Sequence, residues 1–294
     1  MKTEGRKNKK QLFLSAVFAG AGIMMITACG SNQNDASVTT SAKMAGTTTA
    51  VTAGTVQDVT SDVQELTAAQ TTQAQDTVDS VKLNVDLSKG ASDYFIASDG
   101  WTNGSVFNCN WKAENCTFSD GVMNLSIDHD DTTGNGILYS GAEYRSNDFY
   151  GYGYYEVSMK AMKNDGVVSS FFTYTGPSDN NPWDEIDVEV LGKDTSKVQF
   201  NYYRDGVGGH EYMYDLGFDA SEDFHTYAFD WEPGSITWYV DGVKAYDLSG
   251  DVPVTPGKIM MNAWNGINVD DWLKPFDDSK LPICAQYKSI KYHK

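Results

Sequence analysis

From about residue 81 to the C-terminus, short runs of β-forming residues alternate with tight-turn dipeptides, and long helical periodicity is absent. The turn signals are Asp120-Gly121, Asp165-Gly166, Asp205-Gly206 and Asp241-Gly242. An Asp-Gly pair between alternating apolar residues is a strong hairpin signal, and residues 235–246 give the clearest case. Many short strands with polar turns predict an all-β fold, an antiparallel β-sandwich of the jelly-roll kind.

The run of residues 183–190 has two chemically different faces. Ile and Val occupy the even positions after 184, whereas Glu185, Asp187 and Glu189 occupy odd positions and share their face with Trp183. Successive side chains of a strand point to opposite faces. One face can therefore enter a core, while the other face lines up three carboxylates beside an indole.

The same split recurs in residues 198–203 and 259–264, where amide and aromatic side chains alternate with apolar ones. If the three strands share a sheet, its outer face is a strip of carboxylate, amide and aromatic groups. Aromatic rings stack on the faces of sugars, and polar side chains bond to sugar hydroxyls. The pattern therefore predicts a surface that suits a carbohydrate.

The spacing of Glu185 and Glu189 indicates retaining glycoside hydrolysis, which needs two carboxyl groups about 5–5.5 Å apart. Their Cα atoms lie about 13 Å apart on a regular strand, and each side chain can lean roughly 4 Å toward the other. Asp187 lies between them, and repulsion among three carboxylates holds a proton to higher pH, as a general acid requires. A solvated acidic face on an edge strand is the alternative, which Trp183 and the flanking aromatic residues disfavour.

The basic start of the chain is followed by an apolar run over residues 12–26, which is the build of a secretory signal peptide. The run ends in Ala28-Cys29, within a sequence that resembles a bacterial lipobox. We therefore expect a lipoprotein signal peptide over residues 1–28 and a diacylglycerol group on the sulfur of Cys29. An ordinary signal peptide cut after Ala28 stays open. Either route exports the protein to the cell envelope, as a membrane-anchored or a secreted form.

Residues 29–80 are rich in Thr, Ala and Ser and contain no aromatic residue. Such a segment cannot bury enough apolar surface to offset its ordering entropy, so we predict a disordered linker. Phe13 and Phe18 are the only aromatic residues before residue 81. The material for a core therefore lies in residues 81–294, which we predict to form one catalytic domain.

The formal net charge of −18 argues against a nucleic-acid partner, because phosphate binding needs clustered Lys and Arg. The chain also lacks C-x-x-C, H-E-x-x-H and P-loop motifs, so no metal site is predicted from motifs. Beyond Cys29, the cysteines are Cys109, Cys116 and Cys284. Three cysteines allow at most one internal disulfide, and spacing alone leaves the pairing open.

Several segments together resemble the bacterial lichenases, the endo-β-1,3-1,4-glucanases of glycoside hydrolase family 16. The similarity runs from about residue 82 to the C-terminus and is far more specific than the E-x-D-x-E motif alone. The segments that carry it are residues 166–177, 182–189, 197–203, 225–231 and 256–262.

The resemblance implies a jelly-roll sandwich with a concave cleft, with Glu185 as nucleophile, Glu189 as acid/base and Asp187 tuning the pair. It implies cleavage of β-1,4 bonds that follow a 3-O-substituted glucose in mixed-linkage β-glucan. Relatives that act on pure β-1,3-glucan often carry an extra residue between the Asp and the second Glu, which is absent here. The residues that would line the glucan subsites are Trp101, Asn103, Glu143, Arg145, Phe172, Tyr174, Trp183, Asn201, Tyr203, Asn262 and Trp264.

For Glu143 and Arg145, which share one strand face, a structural ion pair is an equal alternative to a sugar contact. Two departures from the family are visible. Similar enzymes often join the Cys109 position by a disulfide to a residue that matches Gly141, which leaves Cys116 as a substitute partner. They also often bind a structural calcium through an Asp that matches Lys288, and a lysine is no calcium ligand.

We expect no cofactor, since two carboxylates and water suffice for the reaction. A structural calcium stays open, although Lys288 argues against it. The expected partners are β-glucan and, through the lipid anchor, a membrane, and the protein is expected to be a monomer. Two alternatives stay open. One is a β-1,3-glucanase, xyloglucan hydrolase or transglycosylase of the same family, and the other is a surface lectin that binds glucan without cleaving it.

Overall fold

The computed structural model describes residues 82–294. The predicted signal peptide over residues 1–28, Cys29 and the predicted linker therefore lie outside the described residues. Within residues 82–294, no helix has the length and apolar character needed to cross a membrane.

Sixteen strands account for about half of the described chain. The first eight are β1 (Lys82–Asp86), β2 (Phe95–Ala97), β3 (Asn110–Trp111), β4 (Cys116–Ser119), β5 (Val122–His129), β6 (Tyr139–Ser146), β7 (Gly153–Lys160) and β8 (Val167–Thr175). The others are β9 (Asp184–Leu191), β10 (Lys197–Tyr203), β11 (Tyr212–Asp215), β12 (His225–Glu232), β13 (Ser235–Val240), β14 (Val243–Ser249), β15 (Lys258–Asn265) and β16 (Ile283–His293). Short 3₁₀ turns cover Leu87–Lys89, Ala113–Asn115, Pro177–Asp179 and Asp278–Lys280, and a single-turn helix α1 covers Asp270–Leu273.

The strands form two stacked layers. The front sheet has the order β11-β10-β9-β8-β15-β6-β2, and the back sheet runs from β4 and β5 through β16, β7, β12 and β13 to β14, with β1 on β16. Strands β5 and β6 join the layers through two residue pairs, Asp128↔Ser140 and His129↔Tyr139. The predicted all-β jelly-roll sandwich is confirmed.

The predicted hairpin over residues 235–246 is also present. It joins β13 to β14 through Asp241 (φ 49°) and Gly242 (φ 74°). Positive φ at both central residues defines the type I′ turn that matches the twist of two paired strands. Asp165-Gly166 does not form a hairpin, because β7 before it and β8 after it belong to different sheets.

A core of apolar side chains fills the space between the sheets. Phe171 and Phe200 of the front sheet meet Phe229 and Trp238 of the back sheet, each with ring centroids 5.5 Å from its partner. A second cluster lies on the outer face of the front sheet, where α1 and the segment around Trp111 pack over one end of β8 and β15. This second cluster projects above the outer face of the front sheet and forms a wall at one end of it.

Candidate active site

Strand β9 places Glu185, Asp187 and Glu189 on the outer face of the front sheet. Ile186 and Val188 between them are fully buried in the core. The pairing of β9 with β8 and with β10 runs without a register shift from residue 185 to residue 189. The backbone geometry that the spacing argument required, an unbulged strand, is therefore present.

The neighbouring strands place polar and aromatic side chains in rows beside the three carboxyl groups. Tyr174 and Tyr203 flank Glu185, Phe172 and Asn201 flank Asp187, and Ser170 and Gln199 flank Glu189. The same rows continue across β15 and β6. The row of Glu189 continues through Asn262 and Glu143, and the row of Asp187 continues through Met260 and Arg145. The row of Glu185 continues through Lys258. We call this set the cleft face.

The cleft face is recessed. Asp187 is only 5% exposed although it points away from the core, and Phe172, Asn201 and Asn262 are buried as well. Glu185 and Glu189 remain half-buried and accessible. Outward-pointing side chains with so little exposure lie at the floor of a depression, as the predicted concave cleft requires.

Trp183 fixes one side of the carboxyl row. Its ring stacks on Tyr203 with centroids 4.3 Å apart and an interplanar angle of 13°. Its indole Nε1–H donates to Oε2 of Glu185 at 2.5 Å. The donor favours the ionised form of Glu185 and holds its carboxylate in one orientation.

Two residues outside the predicted site hold the other end of the row. Gln199 donates from Nε2 to Oε2 of Glu189 at 2.7 Å, and Trp272 of α1 donates from Nε1 to Oε1 of Gln199 at 3.1 Å. The alternation of residues 198–203 places Gln199 on the outer face but indicates no role for it. Nothing in the sequence connects Trp272, which is 73 residues from Gln199, to the site.

The three carboxyl groups titrate as a coupled set. Burial, followed by the charges of Glu185 and Glu189, raises the pKa of Asp187 well above its ordinary value, so that it holds a proton and donates it in a hydrogen bond to Glu185. Burial raises the pKa of Glu185 too, but the bonds from Trp183 and Asp187 oppose that rise. Burial and repulsion from Glu185 raise the pKa of Glu189. The pKa of Glu185 therefore lies below that of Glu189, which favours an ionised Glu185 beside a protonated Glu189.

The remaining predicted contact residues lie mainly at the β6 side of the cleft face. Burial raises the pKa of Glu143 to about 7, and its Oε1 accepts a hydrogen bond from Ser98 at 2.6 Å. Arg145 places its guanidinium carbon 5.5 Å from the ring centroid of Trp101, which is exposed. Among the described residues, Glu143 and Arg145 form no ion pair with each other. Asn103 is exposed and accepts a bond from Trp111.

Trp264 packs against different neighbours from those of the other predicted contact residues. It is 3% exposed and belongs to the second cluster, with its ring 4.0 Å from that of Phe107 and 5.9 Å from that of Trp272. Its ring therefore supports the wall of the cleft, and little of it faces the open space.

Asp184 anchors the strand immediately before Glu185. Its carboxylate accepts backbone N–H bonds from Asp205, Val254 and Thr255 at 2.8–2.9 Å and a side-chain bond from Arg204 at 3.2 Å. Burial alone would raise the pKa of Asp184, but these donors lower it below its ordinary value. The sequence pattern of residues 183–190 does not reveal this role of Asp184.

The three cysteines of the described chain are unpaired thiols. Cys109 packs in the second cluster, and a Cβ atom at Gly141 would lie 2.7 Å from its sulfur. Cys116 packs against the main core instead. The Cys109–Cys116 disulfide left open by the sequence is therefore not formed.

The position that calcium-binding relatives fill with an Asp is Lys288 here, and Lys160 lies close to it. The ammonium of Lys288 lies 3.8 Å from the ring centroid of Phe224, and that of Lys160 lies 5.8 Å from the same ring. In the described part of the chain, no group of three Asp, Glu, His or Cys residues is placed to hold a metal ion. The residues present do not fit a calcium ion, which needs several oxygen ligands.

A recessed sheet face with two carboxyl groups among aromatic rings is the kind of site that glycoside hydrolases have. The chain belongs to glycosyl hydrolases family 16, whose sequence model matches residues 103–281.

Two relatives and one solved structure illustrate the similarity. The chain is 61% identical over 193 residues to a beta-glucanase of Acetivibrio thermocellus, a match that covers 66% of this chain and 57% of the relative. It is 59% identical over 213 residues to a xylanase/beta-glucanase of Ruminococcus flavefaciens, covering 71% of this chain and 26% of that relative. The crystal structure of a prokaryotic beta-1,3-1,4-glucanase (lichenase) derived from a mouse hindgut metagenome matches with a TM-score of 0.69 and 54% identity, over 72% of this chain and 98% of that one.

The chain thus spans little more than half of the first relative's length and about a quarter of the second's.

Proposed function

We propose that the protein is an endo-acting, retaining glycoside hydrolase that cleaves β-1,4 bonds in mixed-linkage β-1,3-1,4-glucan. The observation that carries the proposal is the placement of Glu185 and Glu189 on one face of an unbulged strand, open to a recessed cleft. At that spacing the two carboxyl groups reach a separation of about 5 Å, as a nucleophile and an acid/base need.

The hydrogen bonds of the site support the division of roles. Ionised Glu185 attacks the anomeric carbon while protonated Glu189 gives its proton to the glycosidic oxygen, so that the C–O bond breaks and a glycosyl ester forms on Glu185. Glu189 then removes a proton from water, and the water oxygen displaces Glu185 from the anomeric carbon. Asp187 holds the proton that would otherwise neutralise Glu185.

The substrate class rests on two observations. The relatives named above carry the names beta-glucanase and xylanase/beta-glucanase, and the solved structure is a beta-1,3-1,4-glucanase. The uninterrupted pairing of β9 corresponds to the form of the motif without the additional residue that is frequent in β-1,3-glucanases.

A substrate panel tests the proposed linkage specificity. Release of reducing ends should be rapid on barley β-glucan and lichenan and slow or absent on laminarin, xyloglucan, carboxymethyl cellulose and xylan. Faster release on laminarin, xyloglucan or xylan would replace the proposed substrate. Binding of barley β-glucan without release of reducing ends would identify a lectin.

Two substitutions test the catalytic roles. Glu185→Ala and Glu189→Ala should each lower kcat on barley β-glucan by several orders of magnitude and leave the melting temperature close to that of the parent. The first-formed product of the parent should carry the β anomer, detected by proton NMR within the first turnovers. Near-normal turnover of Glu185→Ala, or an α anomer, would contradict the mechanism.

We also propose that the protein is exported as a monomer and held at a membrane by a lipid on Cys29. The support for export and for the anchor is the sequence of residues 1–29. Mass spectrometry of the mature N-terminus distinguishes a diacylglyceryl Cys29 from a free one, and a Cys29→Ser variant should leave the membrane fraction. Light scattering of the soluble catalytic domain measures its oligomeric state.

A further inference from the structure

The front sheet does not end at β6. Strand β2 pairs with β6 through Phe95↔Ser146, Ile96↔Arg145 and Ala97↔Tyr144. Phe95 is buried and stacks on Tyr144 with ring centroids 5.2 Å apart, so it points into the core. Ile96 therefore points the other way, next to Arg145, and extends the cleft face by one more strand.

Three large apolar side chains at this edge are exposed. Ile96 is 54% exposed, Tyr94 is 58% exposed and Phe149 is 43% exposed. The backbone brings the segments of Tyr94 and Phe149 together. Asn147, two residues before Phe149, donates from its N–H to the carbonyl of Tyr94 at 2.9 Å. Single exposed apolar residues are ordinary, whereas a group of them beside a cleft marks a binding surface.

Lys258 connects this group to the carboxyl row. It is paired with Tyr174, which is itself paired with Glu185. Its ammonium donates to the carbonyl of Asn147 at 3.2 Å and lies 5.1 Å from the ring centroid of Phe149. A groove of about 540 Å³ borders Tyr94 and Phe149 on the side that faces β1 and the end of β16, where Leu83 and Tyr292 line it. Neither Ile96 nor Lys258 lines this groove.

We propose that Tyr94, Ile96 and Phe149 form a distal subsite for the same β-glucan chain that occupies the cleft. Strand β2 lies four strand positions from β9, about 19 Å at the usual spacing between strands, so the subsite contacts glucosyl units far from the scissile bond. The rings of Tyr94 and Phe149 receive the apolar faces of those units. The ammonium of Lys258, at the ring of Phe149, is placed to bond their hydroxyls.

This proposal rests on the proposed function, because it assumes that the cleft holds a long β-glucan chain. It predicts that long substrates gain affinity that short substrates cannot gain. An aryl β-glycoside with two glucosyl units is too short to reach from the carboxyl row to β2, whereas barley β-glucan spans the distance.

The test uses the variants Tyr94→Ala, Ile96→Ser, Phe149→Ala and their triple combination, with Val243→Ala as the control. Val243 lies on β14 of the back sheet and is 64% exposed. Tyr94→Ala and Phe149→Ala should each raise KM for barley β-glucan about threefold to tenfold, the range expected for one lost aromatic contact, with kcat unchanged. Ile96→Ser should raise KM less, because isoleucine has no ring to stack on a sugar. On the aryl glycoside the variants and the control should match the parent, which also verifies that the variants are folded.

Two results would overturn the distal subsite: an unchanged KM for barley β-glucan in the triple variant, or an equal loss of activity on the aryl glycoside. If the parent cleaves no glucan, the proposed function fails. Electrophoresis in gels that contain barley β-glucan then tests whether the distal subsite binds the polysaccharide. Retardation of the parent that the triple variant loses supports the subsite, and equal migration overturns it.

Discussion

The side-chain amide of Gln199 donates a hydrogen bond of 2.7 Å to the carboxyl group of Glu189. The pair joins adjacent residues of β9 and β10 that lie directly opposite each other. Because the other end of the same amide accepts from Trp272, the orientation of Gln199 is fixed and its N–H can point only toward Glu189. Gln199 is therefore a positioning residue for the proposed acid/base.

Replacing Gln199 should change both the rate and its pH dependence. The hydrogen bond from Gln199 lowers the pKa of Glu189, so Gln199→Ala should raise that pKa and move the alkaline limb of kcat/KM to higher pH. We expect kcat to fall by about tenfold to a hundredfold, because the proton donor is less well oriented. Steady-state kinetics from pH 5 to pH 9 measures both effects, and a profile of unchanged shape would indicate a purely structural role.

The buried carboxyl group of Glu143 should make stability depend on pH. Burial raises its pKa from 4.5 to about 7, so between these values the folded state binds more protons than the unfolded state. The free energy of unfolding contributed by this group therefore falls as pH rises through that window. Glu143→Gln does not titrate and should lack this part of the decline.

Urea unfolding of the parent and Glu143→Gln at pH 5 and pH 8 tests the prediction. The stability of the variant relative to the parent should increase from pH 5 to pH 8 by up to about 3 kcal/mol. The carboxyl row on β9 titrates in both proteins and cancels in the comparison. A difference that is the same at both pH values would show that Glu143 is not the group responsible.

Gly141 has no room for a side chain. A Cβ atom there would lie 2.8 Å from the backbone oxygen of Ala263 and 2.7 Å from the sulfur of Cys109. Gly141→Ala should therefore cost about 1–3 kcal/mol, because the backbone oxygen is held in the β15–β6 pairing and cannot move away. At Gly151 a Cβ atom would meet Pro256 at an ordinary 3.7 Å. Thermal unfolding should show a clear loss for Gly141→Ala and little change for the matched Gly151→Ala.

Calcium should not stabilise the protein. A bound ion raises stability only when it binds the folded state, and the ammonium groups of Lys288 and Lys160 lie at the ring of Phe224 where a ligand set would be needed. Thermal unfolding in calcium chloride and in EDTA at equal ionic strength should give the same Tm. A higher Tm in calcium would show that oxygen ligands elsewhere hold the ion.

The parts of the fold that follow from local alternation were predictable. The two faces of residues 183–190 follow from the strand period, and the turn at Asp241-Gly242 follows from the φ angles that such a turn requires. The unbulged pairing of β9 was instead a condition of the spacing argument for Glu185 and Glu189, and it depends on β8 and β10 as well as on β9. The catalytic roles assigned to these residues stay predictions.

Long-range partners were not predictable in the same way. Trp272 reaches Gln199 only because α1 folds back over the outer face of the front sheet, and no sequence period carries that information. The same holds for Ile96, whose position beside Arg145 depends on the pairing of β2 with β6. The rings of Phe107 and Trp272 cover Trp264, and they come from a loop and from α1, which are far apart in the sequence.

Asp184 has a consequence for how the protein can diverge in sequence. Because most of its donors are main-chain amides, the loops that contain Asp205, Val254 and Thr255 can exchange side chains and still dock on the same carboxylate. Asp184 itself has no such freedom, since a longer or uncharged side chain would release both loops from the strand that carries Glu185. Side chains in these two loops can therefore vary without displacing Glu185. Specificity for different glucan chains can change there while the catalytic carboxyl groups stay in place.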